Sequence, residues 1–277
     1  MASLAIATVA GAPVPVAVRL AISMLAIQAS IGALNDWVDA PRDAVSKSTK
    51  PIPAGLVTPR EALAIAAGGA MLGIGLSLPS GVVVAAVLGF GLACGFAYDL
   101  WLSRTASSWL PLALALPVVP IHAWLGARGD LPAGLVAMYP AVVVAGATLA
   151  LANGLVDVER DARSGRSTVA VRLGGRWAWW VHAVLVAVLV AVSMALAPTV
   201  PLETAPGGEG SLLAVRDLRA LRDWGVALGM AALVTGAVVL RSSSAARRER
   251  GWELEAVGVA AAGIGWLAGI AGTAGAA

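Results

Sequence analysis

The sequence predicts an all-α, polytopic membrane bundle of about nine transmembrane helices, the first of them short. Three observations carry this. The chain of 277 residues is 59% hydrophobic and only 13% charged, about half the charge of an ordinary soluble domain. Its mean hydropathy is +0.84. Its uncharged runs are each about the length of one membrane crossing, roughly 17–25 residues. Helices rather than strands follow, because backbone polar groups in lipid are most simply paired within one segment.

The spans follow in order. Residues 3–13 read as the remnant of a crossing, either a half-helix or the tail of a span starting further upstream. Residues 14–36 form the next span. Residues 62–98 hold 37 uncharged positions broken by Leu78-Pro79-Ser80-Gly81, which makes two spans, at 60–78 and 82–99. Later uncharged runs place spans at 107–127, 133–155, 176–197, 223–241 and 255–275. The whole, 1–277, reads as a single membrane-embedded domain. Residues 1–18 are apolar but lack a basic n-region, so no cleavable signal peptide is expected. Most of the ten Trp fall near span ends, as interfacial anchors do.

Charge orients the bundle. Loops 36–61, 99–106, 157–176 and 241–253 carry 14 Lys and Arg, whereas the opposite side carries Arg128, Arg216, Arg219 and Arg222. The positive-inside rule makes the richer face cytoplasmic. The pI near 9.6 is explained by these loops, and with no soluble basic domain no nucleic-acid partner is expected. Cys94 is the single cysteine, which excludes an internal disulfide, and it reads as packing. The far-side segment 198–223, with an amphipathic stretch at 212–221, receives no chemical role.

Two acidic clusters open onto the cytoplasmic face. The first reads Asn35-Asp36-Trp37-Val38-Asp39-Ala40-Pro41-Arg42-Asp43, the second Asp157-Val158-Glu159-Arg160-Asp161. Asp36, Asp39 and Asp43 share one face if the helix continues. Pro41 is a natural stop, which leaves Asp43 the least secure member. Asp157 and Asp161 are again one turn apart. Unpaired carboxylates so close repel and raise one another's pKa. A Mg2+ ion removes that conflict, since it takes oxygen ligands from a few carboxylates plus substrate phosphates. Lys47 and Lys50 follow the first cluster, Arg163, Arg166 and Arg172 follow the second, and Arg104 lies between them in sequence. Carboxylates and bases on one face suit a metal-bridged diphosphate, where both stabilise charge growing on a leaving group.

Other polar residues within spans read as structural. His122, near Pro117, Pro120 and Trp124, and His182, beside Trp179 and Trp180, are assigned to packing. Arg19 is placed near the far end of its helix, snorkelling. Asn153, one turn before Asp157, is a candidate to line the site.

At these motifs the chain resembles the UbiA-type intramembrane prenyltransferases. Asn35-Asp36-x-x-Asp39-x-x-x-Asp43 followed by Lys47 and Lys50-Pro51-Ile52-Pro53-Ala54-Gly55 resembles the first signature of that family. Asp157-x-x-x-Asp161-x-x-x-Gly165-x-x-Thr168-x-x-Val171-x-x-Gly174 resembles the second, and Tyr98-Asp99-Leu100-Trp101-Leu102-Ser103-Arg104-Thr105 a third loop. The resemblance covers nearly the whole chain in the right order. It implies a nine-helix bundle around a central cavity under a cytoplasmic cap, with the site opening to the cytoplasmic face. It also implies Mg2+ as cofactor, with Asn35, Asp36, Asp39, Asp157 and Asp161 as ligands and Asp43 supporting metal or diphosphate. Asp36, Asp39, Asp157 and Asp161 are then catalytic, while Lys47, Lys50, Arg104 and Arg163 bind diphosphate. The implied partners are a prenyl diphosphate donor, a lipophilic acceptor (commonly aromatic in this family) and the lipid bilayer. Three positions depart from the pattern. Lys50 stands where many members have Arg, Ser103 where Lys is common, and the first helix is short.

Several acceptor branches share these motifs, among them the chlorophyll-synthase and prenyl-ether enzymes. The same fold also serves terpene cyclases, which need no acceptor. A CDP-alcohol phosphotransferase would need an Asp-Gly start and an Ala-Arg pair that neither cluster has. A cation transporter would place its site near the midplane, whereas these aspartates sit at one face.

Overall fold

The computed structural model describes residues 2–195 and 215–274, all helix and turn with no strand among the described residues. Eleven α-helices follow one another: α1 (Ala2–Val9), α2 (Val14–Ser46), α3 (Pro59–Ser77), α4 (Val82–Leu100), α5 (Leu110–Ala115), α6 (Val118–Arg128), α7 (Ala133–Val156), α8 (Val158–Arg163), α9 (Val169–Ala195), α10 (Val215–Val239) and α11 (Ala245–Ala274). Among the described residues, eight segments are long and apolar enough to cross a membrane, with α5 and α6 together making one of them. Helix α1 has eight residues, about 12 Å at 1.5 Å per residue, too short to span a hydrocarbon core of about 30 Å.

Local chemistry sets the boundaries. Helix α2 starts with a proline in its first turn, where the missing N–H costs nothing. It then runs 33 residues, about 50 Å, so its last third extends beyond the hydrocarbon and carries the first acidic cluster there. Pro41 lies inside it, so the helix does not stop where the sequence suggested, and Asp43 stays on the same helical face as Asp36 and Asp39. Thr58 and Glu61 form a capping box at α3, with Thr58 N–H donating to Glu61 Oε2 (2.7 Å) and Glu61 N–H to Thr58 Oγ1 (3.2 Å). The break at 78–81 is a 3-10 turn ending on Gly81 (φ 118°). The expected span 107–127 is two helices, interrupted just before Pro117, which has no N–H to continue the ladder. Helix α9 starts seven residues before the expected 176 and bends at Gly174 (φ 73°, ψ 147°).

Helices α2 and α3 pack as one hairpin and α10 and α11 as another, while α7 lies against α5, α9 and α11. Short as it is, α1 touches α2, α6 and α11. Its Ile6, Ala7 and Val9, with Ala10 just beyond its end, join Leu20, Trp124, Leu135, Met138, Leu267 and Ile270 in the largest buried cluster. In lipid, close packing rather than water exclusion joins helices, and glycines set the approach. A Cβ on Gly229 of α10 would lie 2.6 Å from Ala262 N and Gly258 O of α11.

Several charged and polar groups within the spans are paired. Arg19 is not a snorkelling side chain. It donates to Leu76 O (2.6 Å) and Ser80 Oγ (2.7 Å), satisfying the open end of α3. His122 is fully buried against Ser77 Oγ (2.9 Å), which in turn meets Ser23 Oγ (2.8 Å). His182 of α9 and Glu255 of α11 are fully buried together, Nε2 to Oε2 3.0 Å. The far-side stretch 212–221 lies partly outside the described residues.

The Gly229→Val variant is expected to lose about 1–3 kcal/mol by overpacking, seen as an earlier unfolding midpoint in detergent. Gly75→Ala, with open space around the added methyl, is expected to leave the midpoint unchanged. Equal midpoints for G229V and the wild type reject the close α10–α11 crossing.

Candidate active site

The two acidic clusters meet at one end of the bundle, and cations bring them together. On α2, Asp36 Oδ1 accepts a hydrogen bond from Lys50 Nζ (2.9 Å), and the same ammonium lies 2.9 Å from Asp43 Oδ2. Burial pulls the Lys50 pKa down, but Asp43 and Asp36 more than offset it and hold it above its ordinary value. Asp39 Oδ2 accepts from Arg42 (2.6 Å), while its Oδ1 faces Arg166 at 3.4 Å. The Asp43 side chain is only 1% exposed. In the second cluster Asp157 pairs with Arg160, and Asp161 Oδ1 stands 3.8 Å from Arg166. Arg166 therefore joins the clusters, with one guanidinium nitrogen toward Asp39 and the other toward Asp161.

A local turn delivers Arg166. Helix α8 ends in a left-handed glycine, Gly165 (φ 73°). Gly165 N–H donates to Ala162 O (3.2 Å) and Arg166 N–H to Asp161 O (3.0 Å), the paired closure of a Schellman motif. The turn sends the chain back across its own helix end, so Arg166 faces the carboxylate of the residue whose carbonyl holds its N–H. On the other side, the short loops are tied by Ser167 N–H to Arg104 O (3.0 Å).

A cavity of about 270 Å3 begins at these charges and runs into the membrane. Its walls come from α2 through Met24, Ile27 and Ile31, from α4 through Leu88, Gly91, Gly95 and Tyr98, and from α7 and the residue that ends it through Ala150, Asn153 and Asp157. Each set is spaced three or four residues apart, one helix face apiece. Asp161, Arg166 and Thr168 complete the polar end, and Val118 and Val119 belong to the apolar part. Asn153 lines the cavity, as its position one turn before Asp157 suggested.

The remaining expected residues divide. Asn35 donates Nδ2–H to Asp99 Oδ1 (3.0 Å), linking the first cluster to the end of α4. Lys47 is half-buried after α2. Arg104 is exposed on a 3-10 turn. Arg163 is exposed, with its Nε–H on Glu159 O (3.1 Å), and it does not line the cavity. Sequence reasoning noted Arg166 only as one of several following cations and gave Asp99 no role. Gly165 was the available signal for Arg166, because a glycine closing a one-turn helix reverses the chain.

Among the described residues no three His, Cys, Asp or Glu side chains converge closely enough to grip a metal ion, since each carboxylate is engaged by Lys, Arg or Asn. The donor set still fits a hard cation. Its members are all oxygen ligands, and Asp43 Oδ1 is buried without a hydrogen bond. The Asp161 carboxyl is pushed up to about 6, by burial first and by the Asp157 charge second, with Arg160 and Arg42 pulling the other way. A divalent ion between the clusters would relieve that strain.

The model of the UbiA prenyltransferase family matches residues 1–215. The chain belongs to the UbiA prenyltransferase family. Among its relatives, the protoheme IX farnesyltransferase of Ruegeria pomeroyi is 40% identical over 105 residues, covering 36% of this chain and 33% of that one. The digeranylgeranylglyceryl phosphate synthase of Korarchaeum cryptofilum is 30% identical over 143 residues, 51% and 50% of the two chains. The matched stretches span about a third to a half of the length of these curated relatives. In three dimensions the chain resembles the apo UbiA homologue of Aeropyrum pernix K1, with TM-score 0.71, 18% identity and 95% of each chain covered. It also resembles the UbiA homologue of Archaeoglobus fulgidus bound to GPP and Mg2+, with TM-score 0.61, 19% identity and 70% and 72% covered. At these identities the likeness shows the fold, and with its eight apolar spans the protein is an integral membrane protein of the UbiA fold.

Asp161 gives this site a pH signature. Its folded value lies above its ordinary value of 3.8, so the folded state binds the proton more tightly and stability falls as pH rises from about 4 to about 6. Above that window the cost is fully present. Asp161→Asn is therefore expected to unfold later than wild type at about pH 7.5 without divalent ions, and to match it near pH 4. An earlier midpoint for D161N at the higher pH contradicts the assignment.

Proposed function

We propose that this protein transfers a prenyl group from an isoprenoid diphosphate to a lipophilic acceptor, aromatic in the first instance, and releases diphosphate. The observation that carries the reading is the joining of two aspartate clusters through Arg166 at the charged end of an apolar cavity. Asn35, Asp36, Asp39, Asp43, Asp157 and Asp161 are the set that would hold Mg2+. When bound there, the ion supplies charge neutralisation for the diphosphate and for the negative charge that grows on it as it leaves.

The chain's own groups do the rest. Lys50 and Arg166, each set between two aspartates, are placed to take the diphosphate oxygens, with Lys47, Arg104 and Arg163 further out. Breaking the allylic C1–O bond leaves its electron pair on the diphosphate and positive charge on the prenyl carbon. That carbon bonds to the acceptor nucleophile, which then sheds a proton. No side chain needs to form a covalent intermediate. The walls formed by Ile27, Ile31, Leu88 and Val118 take the isoprenoid and keep water from the developing cation. By the distribution of Lys and Arg, the charged end faces the cytoplasm.

Supporting this reading, the Archaeoglobus fulgidus homologue was captured with GPP and Mg2+, and with DMAPP and Mg2+. The curated relatives are named for protoheme and for a glyceryl phosphate, so the acceptor panel includes both chemistries beside hydroxybenzoate and naphthoate. Membranes carrying the protein, given labelled geranyl, farnesyl and geranylgeranyl diphosphates with that panel, are expected to yield one prenylated product by mass. Asp36→Ala and Asp157→Ala are each expected to lower Mg2+-dependent turnover by about a hundred- to a thousandfold, on the scale of losing charge stabilisation in a buried site, while the protein still folds. Wild-type turnover in either variant sinks the metal assignment. Diphosphate release with a cyclised product and no acceptor identifies a cyclase, and divalent-ion flux without diphosphate release identifies a transporter.

A further inference from the structure

Arg248, on the first turn of α11, lies outside the cavity and outside both acidic clusters, yet it is 5% exposed and makes four contacts. Its NH2 donates to Val156 O (3.2 Å) and pairs with Glu159 Oε2. Its NH1 reaches Ser242 O (3.1 Å) and Ser243 O (3.3 Å). Val156 is the last residue of α7, and its carbonyl is among those a helix end leaves open. The next residue, Asp157, is the break between α7 and α8 (φ −105°, ψ 6°), and no side chain of its own caps it. Glu159 lies on α8, two residues before Asp161.

One guanidinium thus grips the residue before Asp157, a residue on the helix of Asp161, and the loop joining α10 to α11. Capping α7 would require only the first of these. Holding Val156 and Glu159 together fixes the angle at which α8 leaves α7, and that angle decides where Asp157 and Asp161 stand relative to Arg166 and Asp39. We propose that Arg248 is the positioning residue of the second aspartate cluster, setting the separation at which it shares a divalent cation with the first. This role rests on the metal reading above. It needs the fork as well as the charge, because a lysine ammonium on a flexible stem cannot hold two separate groups in one plane.

The test uses full-length protein in detergent and reads Mn2+ binding by electron paramagnetic resonance, with hydrogen exchange of the 156–161 amides beside it. Arg248→Lys keeps a cation in place and is expected to weaken Mn2+ binding about tenfold, the effect typical of groups that orient metal ligands, and to speed exchange across 156–161. Glu159→Gln, which leaves Arg248 on Val156 O, is expected to shift both in the same direction by less and keeps the test open should R248K not fold. Faster exchange in R248K with unchanged Mn2+ affinity overturns the proposal and leaves Arg248 a structural clamp. A wild-type protein that binds no Mn2+ overturns the metal reading itself, and this role with it.

Discussion

The structure depends on keeping like charges together at a membrane boundary. Five aspartates from two distant stretches occupy one end of the bundle, where water is scarce and their repulsion is poorly screened. Lys50 stands between Asp36 and Asp43, and Arg166 stands between Asp39 and Asp161 across 127 residues of sequence. Without those cations the carboxylates would have to protonate or move apart. Much local structure follows from this need. Helix α2 overruns the membrane by several turns to bring its acidic face clear of lipid, and α8 closes on Gly165 so that Arg166 can return.

The charges are also kept out of the cavity below. Its deeper wall is Met24, Ile27, Leu88, Val118 and Val119, and the ionisable groups deeper in the spans are occupied elsewhere. Arg19 is spent on the end of α3, and His182 is buried against Glu255. An intramembrane charge is expensive unless paired, and pairing these two away from the cavity leaves its deeper wall without an ionised side chain. Charge at one end and a mainly apolar surface along the rest is the division of labour that the proposed cleavage of an allylic diphosphate would use.

The legible part of this fold was the part written in composition and short-range spacing. Uncharged run lengths located the spans, and i, i+3 and i+4 intervals put each acidic cluster on one face. Pro41 misled because the α2–α3 packing and the Asp43 pair outweigh one missing backbone hydrogen bond. Pro117 was read as span interior although it divides α5 from α6, since hydropathy is blind to a break that keeps the chain apolar. Arg19 looked like a snorkelling residue because the α3 carbonyl it caps is 57 residues away. Glu255 was placed at a helix end, whereas α11 begins ten residues earlier at Ala245. In the charged stretch 245–255, Arg248 and Glu255 are buried against neighbouring elements, whereas Arg247, Glu249, Arg250 and Glu253 are exposed. Arg166 and Arg248 illustrate the general limit: both act through partners that only the folded chain brings near.

The C-terminal hairpin gains meaning from this. Helices α10 and α11 lie almost wholly beyond the stretch matched by the family model, residues 1–215, and contribute no aspartate to the site. They nevertheless pack closely on each other, with Gly225, Gly229 and Gly236 meeting Gly265, Gly258 and Gly251 at near-backbone contact. An arginine that positions a helix end can do so only from a base that does not yield, because a compliant base would let the α7–α8 angle drift with thermal motion. Glycine-to-glycine packing removes the side-chain layer whose rotamers provide that compliance. If Arg248 has the proposed positioning role, the close packing of the last hairpin and the placing of Asp157 and Asp161 are linked through one guanidinium.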